Sequence, residues 1–433
     1  MLKPASLGIA AAALMVSAPA YAAPEGNITY KMKRGDTLIA LANKHFLTGG
    51  SVDGVIRLNQ ISNPRRIPVG REIKIPRRYL RYAPVNLEVY SVAGPVGLMR
   101  KGEGRKAAAK GLKLKEGDVI QTGRKGFVTI VGYRGSKISL PSNSKARFID
   151  ARRYEINDLI DVQVKILEGR GNVIAPKLQD QERYRVGNPV AVTAVRGTQF
   201  RVGYDKEADL SLSEVTEGAV AVIGDERTVS APAGFGVTAS SSGVKDVEEL
   251  LPAPTMIEPG KIQKEADLEF ALVPSDGAVG YRTQIFRDQS LLEIKDEVVS
   301  RDLKVVFGSL EDGRYVVQSR AIAESGLEGQ VSTHSFLRKR LGISGGMSKS
   351  EYEDAYKFSW HTDGSGESFA AFQMWKSSDK DNLLIDEIGL STKDVYVNNL
   401  SSGDYQWRVA TFQMIEGEPV KVWGPISTFS VTD

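Results

Sequence analysis

Tyr30-Lys31-Met32-Lys33-Arg34-Gly35-Asp36-Thr37-Leu38 decides how the N-terminal part of the chain folds. Ile28, Tyr30 and Met32 alternate with Thr29, Lys31 and Lys33, the period of a half-buried strand. Arg34-Gly35 turns the chain, and Asp36 is a good helix N-cap. Leu38, Leu41, Ala42 and Phe46 then recur at helical spacing. Thr48-Gly49-Gly50 breaks that helix, and Ser51 caps a second one with Val52, Val55 and Ile56 on its buried face. Asn59 to Pro68 is an irregular loop containing Asn63-Pro64. Gly70 turns the chain into a last strand with Ile73 and Ile75 on one side. Residues 28–77 therefore read strand, helix, helix, strand. So small a unit has little core, and its stability and affinity should both be modest.

Outward toward the N-terminus, residues 1–22 read as a cleavable export signal. Met1-Leu2-Lys3 gives a positive start, Ala5 to Ala20 is small or apolar, and Ala20-Tyr21-Ala22 suits a signal peptidase. The apolar run is too short for a membrane span, and no other run approaches one. The chain is thus expected in the periplasm or cell envelope, with no membrane span after signal cleavage. With no cysteine among 433 residues, disulfides, thiolate metal sites, a cysteine nucleophile and a lipid-modified N-terminal cysteine are all excluded.

Charge is unevenly spread. Residues 28–82 hold 12 Lys and Arg against 3 Asp and Glu, a local +9, whereas residues 250–433 hold 19 against 28, a local −9. A basic end favours an anionic polymer such as the cell wall. Nucleic acid is the usual alternative, and an export signal argues against it.

Toward the C-terminus the pattern becomes β. Residues 83–118 contain two strand-like runs, Leu87-Val89 and Val96-Leu98, and a basic stretch from Arg100 to Lys115 in which Ala107-Ala108-Ala109 suits a helical turn. From Gly117 to Thr238, short β runs such as Phe127-Val131 and Asp161-Leu167 alternate with glycine turns, the signature of an all-β sandwich, roll or solenoid. Residues 241–256 read as a linker. An internal repeat follows at a constant offset of 90 residues: Phe270 matches Trp360, and Leu310, Gly313 and Tyr315 match Leu400, Gly403 and Tyr405. A second linker is expected at Gly342 to Gly346. The fold class is multidomain and mainly β: export signal 1–22, βααβ domain 28–77, β domain 83–240, linker 241–256, and β-sandwich repeats at 257–340 and 350–433.

Three resemblances sharpen this reading. Tyr30 to Leu38, Leu58 to Gly70 and Ile73 to Pro76 together resemble the LysM family, which binds N-acetylglucosamine-containing glycans. The resemblance implies a shallow groove between the loops Gly35 to Leu38 and Gln60 to Ile67. It makes Gly35, Asp36, Thr37, Leu38, Ile61, Asn63, Pro64 and Ile67 the candidate glycan-binding residues. Gly35 lets backbone approach a ligand closely, Thr37 offers a hydroxyl, and Leu38, Ile61 and Ile67 offer apolar walls. Many family members carry an acidic residue after Asn-Pro, where this chain has Arg65 and Arg66. Gly117 to Gly123, Ile138 to Ser144, Ala194 to Val202 and Glu214 to Val220 resemble the FecR family. That family's membrane helix and cytoplasmic segment have no counterpart here, so the resemblance implies a β module only. The two repeats are similar to fibronectin type III sandwiches, with Tyr315 and Tyr405 as tyrosine corners and Trp360 as a core residue. Trp375 and Trp423 are expected in cores as well.

Catalysis finds no support. His45, His334 and His361 are scattered, with no metal-ligand spacing, and no Gly-x-Ser-x-Gly follows a strand. The expected function is non-catalytic: no cofactor, no metal, peptidoglycan glycan strands as ligand, and an envelope protein as partner of the β domains. The competing expectation is a periplasmic signalling or sensor component acting through the FecR-like domain.

Overall fold

The computed structural model describes residues 26–195, 197–224 and 227–432. The export signal expected at 1–22 lies outside the described residues. The chain divides into two compact units.

The first unit contains residues 26–84, 152–160 and 179–182. Strand β1 (Asn27–Lys31), helix α1 (Leu38–His45), helix α2 (Val52–Leu58) and strand β2 (Glu72–Pro76) follow the expected order. β1 and β2 are antiparallel, with Ile28 opposite Ile75 and Tyr30 opposite Ile73. These four residues, Leu38, Leu41, Phe46 and Val55 form one core. The same core contains Tyr154, Ile156 and Leu159, more than seventy residues further along the chain. Arg77 is 2% exposed, lies 5.5 Å from the Tyr154 ring and donates to the Gln181 carbonyl. A βααβ unit this small cannot cover its own core, and the later segments supply the missing apolar surface.

The second unit contains residues 85–151, 161–178 and 183 onward, and its described residues are almost wholly β. One strand, Ile160–Ile174, organises its first part. Asp161–Lys165 pair in parallel with strand Arg183–Gly187, and Gly169–Ile174 pair antiparallel with strand Gln199–Asp205. The strand thus serves two sheets. Gly169 begins the second ladder with φ +74°, and a Cβ there would stand 2.4 Å from the Asn143 carbonyl oxygen, so only glycine fits.

Several local expectations fail for tertiary reasons. Of Ala107-Ala108-Ala109, read as a helical turn, Ala107 lies in the short strand Lys106–Ala107, paired with Gly97–Leu98, and the other two are in no helix. Arg100, in the basic stretch, is held by the buried carboxylate of Asp118 at 2.7 and 2.8 Å. The stretch 241–256, read as a linker, is bound to the sheet: Ala239 pairs with Val244, and Phe235 with Glu249. Gly342 to Gly346, read as a second linker, lies in strand Gly342–Lys349, paired with Ala355–Asp363. Backbone pairing does not need bulky side chains, so serine and glycine composition conceals it.

The repeats are two sandwiches, each with a three-stranded sheet facing a larger one. The Tyr315 hydroxyl donates to the Glu311 carbonyl at 3.0 Å, and the Tyr405 hydroxyl to the Ser401 carbonyl at 2.7 Å. Both tyrosine corners are therefore formed at the expected offset. Phe270 and Trp360 occupy corresponding cores. Trp375 is buried, and Trp423 is half-buried with the Arg408 guanidinium 4.1 Å from its ring.

Between the first part of this unit and the first repeat lies a buried charge network. Arg170 contacts Glu214 at 2.7 Å and Glu328 at 3.0 Å. Glu328 also meets Arg282 at 2.6 Å and Arg320 at 3.4 Å, and Arg282 meets Glu297 at 2.9 Å. Arg201 contacts Glu214 at 3.5 Å and donates to the Gly329 carbonyl at 2.8 Å. The surrounding arginines hold the Glu328 carboxyl well below the usual carboxylate range despite its burial. Removing one member of such a network strands charges in low dielectric. Glu328→Gln should lower unfolding stability by about 3–5 kcal/mol, read by urea denaturation; an unchanged midpoint and slope would show that the network is dispensable.

Candidate glycan-binding site

The two loops implied by the family resemblance flank the same core in the first unit. Gly35 has φ +91° with nothing within 4 Å of where a Cβ would stand. Its glycine is required by the left-handed turn, and the space over it is open. Asp36 does not cap α1. Its Oδ2 accepts from the Tyr30 hydroxyl at 2.8 Å and from the Lys33 amide at 2.7 Å, clamping the turn back onto β1. The cap is Thr37, whose Oγ1 accepts from the Ala40 amide at 3.1 Å. Two acceptors stand side by side in sequence, and the turn geometry assigns the longer reach to Asp36. Leu38 and Ile61 are both in the core, and the half-buried Ile67 packs against it.

The second loop is built from both of its ends. Gln60 enters it in the left-handed region, φ 50°. Asn63 is exposed, and its Oδ1 accepts from the Arg65 amide at 3.0 Å, folding the Asn63-Pro64 corner on itself. Pro64 is half-buried. Asn59 anchors the start: its Nδ2 donates to the Val55 and Lys74 carbonyls at 2.8 and 2.7 Å, and its Oδ1 accepts from the Lys74 amide at 2.6 Å. That fixes α2 to β2 and so fixes where the loop departs.

Sequence reasoning passed over two residues. Ile39 is 62% exposed and Val69 is 67% exposed, each next to one of the loops. Ile39 is off the stripe formed by Leu38, Leu41 and Ala42, and that departure from helical period is the signal that could have found it. Exposed cations border the loops, among them Lys33, Arg34, Arg65 and Arg66. Burial first, then the hydrogen bond to Asp36, raises the Tyr30 hydroxyl to about 12. His45, at the end of α1, is buried, which lowers its imidazole from the ordinary value. Among the described residues no group of His, Asp and Glu is placed to hold a metal ion, and no helix is long and apolar enough to cross a membrane.

Comparison with known families meets this geometry at two places. Residues 30–76 match the model of the LysM domain, and residues 118–221 match that of the FecR protein. Two segments of the chain are thus LysM-like and FecR-like. No curated protein matches the chain. Among solved structures, it is similar to an anti-sigma factor candidate from Parabacteroides distasonis at 16% identity and TM-score 0.26, covering 30% of this chain and 59% of that one. It is also similar to a two-domain fibronectin type III segment of chicken tenascin at 15% identity and TM-score 0.22, covering 40% of this chain and 98% of that one. LysM likeness points to glycan binding, and FecR likeness to a signalling role.

The clamp has a direct check. Asp36→Ala should lower the pKa of the Tyr30 hydroxyl and destabilise the LysM-like unit by about 1.5–3 kcal/mol. NMR titration of ring-labelled tyrosine reads the first, and amide exchange in β1 reads the second. An unmoved Tyr30 titration would mean that Asp36 does not hold this turn.

Proposed function

We propose that the chain is an exported, non-catalytic envelope protein that binds peptidoglycan through its LysM-like unit. N-acetylglucosamine-containing glycan lies between the loops Gly35–Leu38 and Gln60–Ile67. Gly35, Asp36, Thr37, Leu38, Ile61, Asn63, Pro64 and Ile67 form or shape the contact. Gly35 leaves open space above the turn, and Thr37 keeps a donor hydroxyl after accepting from Ala40. Leu38 and Ile61 support the floor from within the core. The exposed Ile39 and Val69 add the apolar surface that an N-acetyl methyl needs. The single observation that carries this reading is the pair of exposed apolar residues beside two rigidly anchored loops. Scattered exposed apolar residues are ordinary on a protein surface, and what singles out Ile39 and Val69 is their place beside the two anchored loops.

The FecR-like and sandwich parts then present a surface to another envelope protein. One module binds weakly, and the dense glycan of the wall offsets this. The FecR likeness favours a second reading, in which this part relays a signal as a periplasmic sensor component. The two readings differ in whether the partner changes with an external stimulus, which cross-linking in cells with and without that stimulus would separate.

The glycan reading is tested by NMR titration of the full chain with chitotetraose. Shifts are expected at Gly35–Ile39 and Gln60–Val69, and Ile39→Ser should weaken binding about three- to tenfold with little change in melting temperature. Shifts confined to other residues, or an unaffected Ile39→Ser, would contradict it.

A further inference from the structure

A cavity of about 640 Å³ opens beside the buried charge network, between the first part of the second unit and the first repeat. That is the size of a small-molecule site. Three cations border it, Lys137, Arg201 and Arg320, and its lining holds no carboxylate among the described residues. Arg201 is 4% exposed and Arg320 is 3% exposed.

Arg201 is held from behind by Glu214 and by the Glu328 and Gly329 carbonyls, whereas Arg320 is not fully satisfied. In the network, Arg170, Arg201, Arg282 and Arg320 face Glu214, Glu297 and Glu328, so one positive charge is left over before Lys137 is added. Arg320 shows the shortfall. Its Nη2 donates to Gln284 and its Nη1 is 3.4 Å from Glu328, but its Nε is buried without a hydrogen-bond partner. Burial, with Arg201 and Arg282 nearby, lowers its guanidinium to about 10. Lys137 has the Leu291 carbonyl as acceptor, and burial pushes its ammonium down to about 8. A buried donor without an acceptor is costly, and a carboxylate is the acceptor that fits two guanidinium groups.

The remaining lining narrows the ligand. Gln199, Gln318 and Gln330 bring side-chain amides, while Ile174, Phe286 and Val331 bring apolar surface. Amide partners interleaved with apolar contacts suit a peptide better than a phosphate or a sugar. We propose that this cavity binds the free C-terminal carboxylate of a short peptide, held by Arg201, Arg320 and Lys137. The site is separate from the glycan loops, and its ligand carries no sugar.

The test is calorimetric titration of the full chain at neutral pH with acetyl-Ala-Ala as the free acid and, separately, as its C-terminal amide. The acid should bind and the amide should bind at least about tenfold more weakly, since they differ only in the charge. Lys137→Met should weaken the acid about tenfold while raising the melting temperature, because it removes a charge held at a cost. That opposite movement separates loss of a ligand contact from loss of fold. Arg320→Met should abolish binding. No binding of the acid at about 5 mM, equal binding of acid and amide, or unchanged affinity in a folded Lys137→Met protein would each overturn the assignment. Because neither probe contains N-acetylglucosamine, failure here leaves the glycan reading untouched, and failure of the glycan titration leaves this one untouched.

Discussion

Glu328 sits among Arg170, Arg282 and Arg320, and the arrangement of the second unit depends on that contact. The glutamate belongs to the first repeat, whereas Arg170 reaches it from the long strand shared by two sheets. Arg170 also grips Glu214, and the Glu328 amide donates to Glu214 at 3.0 Å. Ion pairs this deep are weak net stabilisers, yet removing a single partner is strongly destabilising because it leaves an uncompensated buried charge. The network links the long strand and Glu214 to the first repeat. It also leaves the surplus positive charge that faces the neighbouring cavity.

What was legible in the sequence was what local period encodes. Alternation at Ile28, Tyr30 and Met32 and the helical spacing at Leu38, Leu41 and Ala42 specify the βααβ order without help from elsewhere. The repeat at offset 90 located both tyrosine corners, because the corner needs only a turn and a hydroxyl four residues away. What was not legible depended on distant partners. Tyr154, Ile156 and Leu159 complete a core that begins at Ile28, and no local pattern links them. Gly342 to Gly346 and short pieces of 241–256, taken for linkers, are strands because other strands lie beside them. At the site, the loops were legible but the division of labour between Asp36 and Thr37 was not. Either side chain can cap a helix, and only the position of the Tyr30 hydroxyl decides which one does.

The shared core has a consequence for function. Deleting the LysM-like segment would uncover Tyr154, Ile156 and Leu159, so a truncated chain is not a clean control for glycan binding. Substitutions at exposed positions in the full chain are the informative ones. Charge is the other confounder, since the basic loop rims would hold any polyanion to some degree.

We propose that the chain grips the wall by recognising glycan, beyond attraction between opposite charges. The most direct measurement is co-sedimentation of the full chain with isolated peptidoglycan sacculi at about 0.3 M salt, where exposed charges are largely screened, with and without chitotetraose. The chain is expected to sediment at that salt, and the neutral oligosaccharide is expected to return it to solution. Release by salt alone, with no effect of the oligosaccharide, would contradict it.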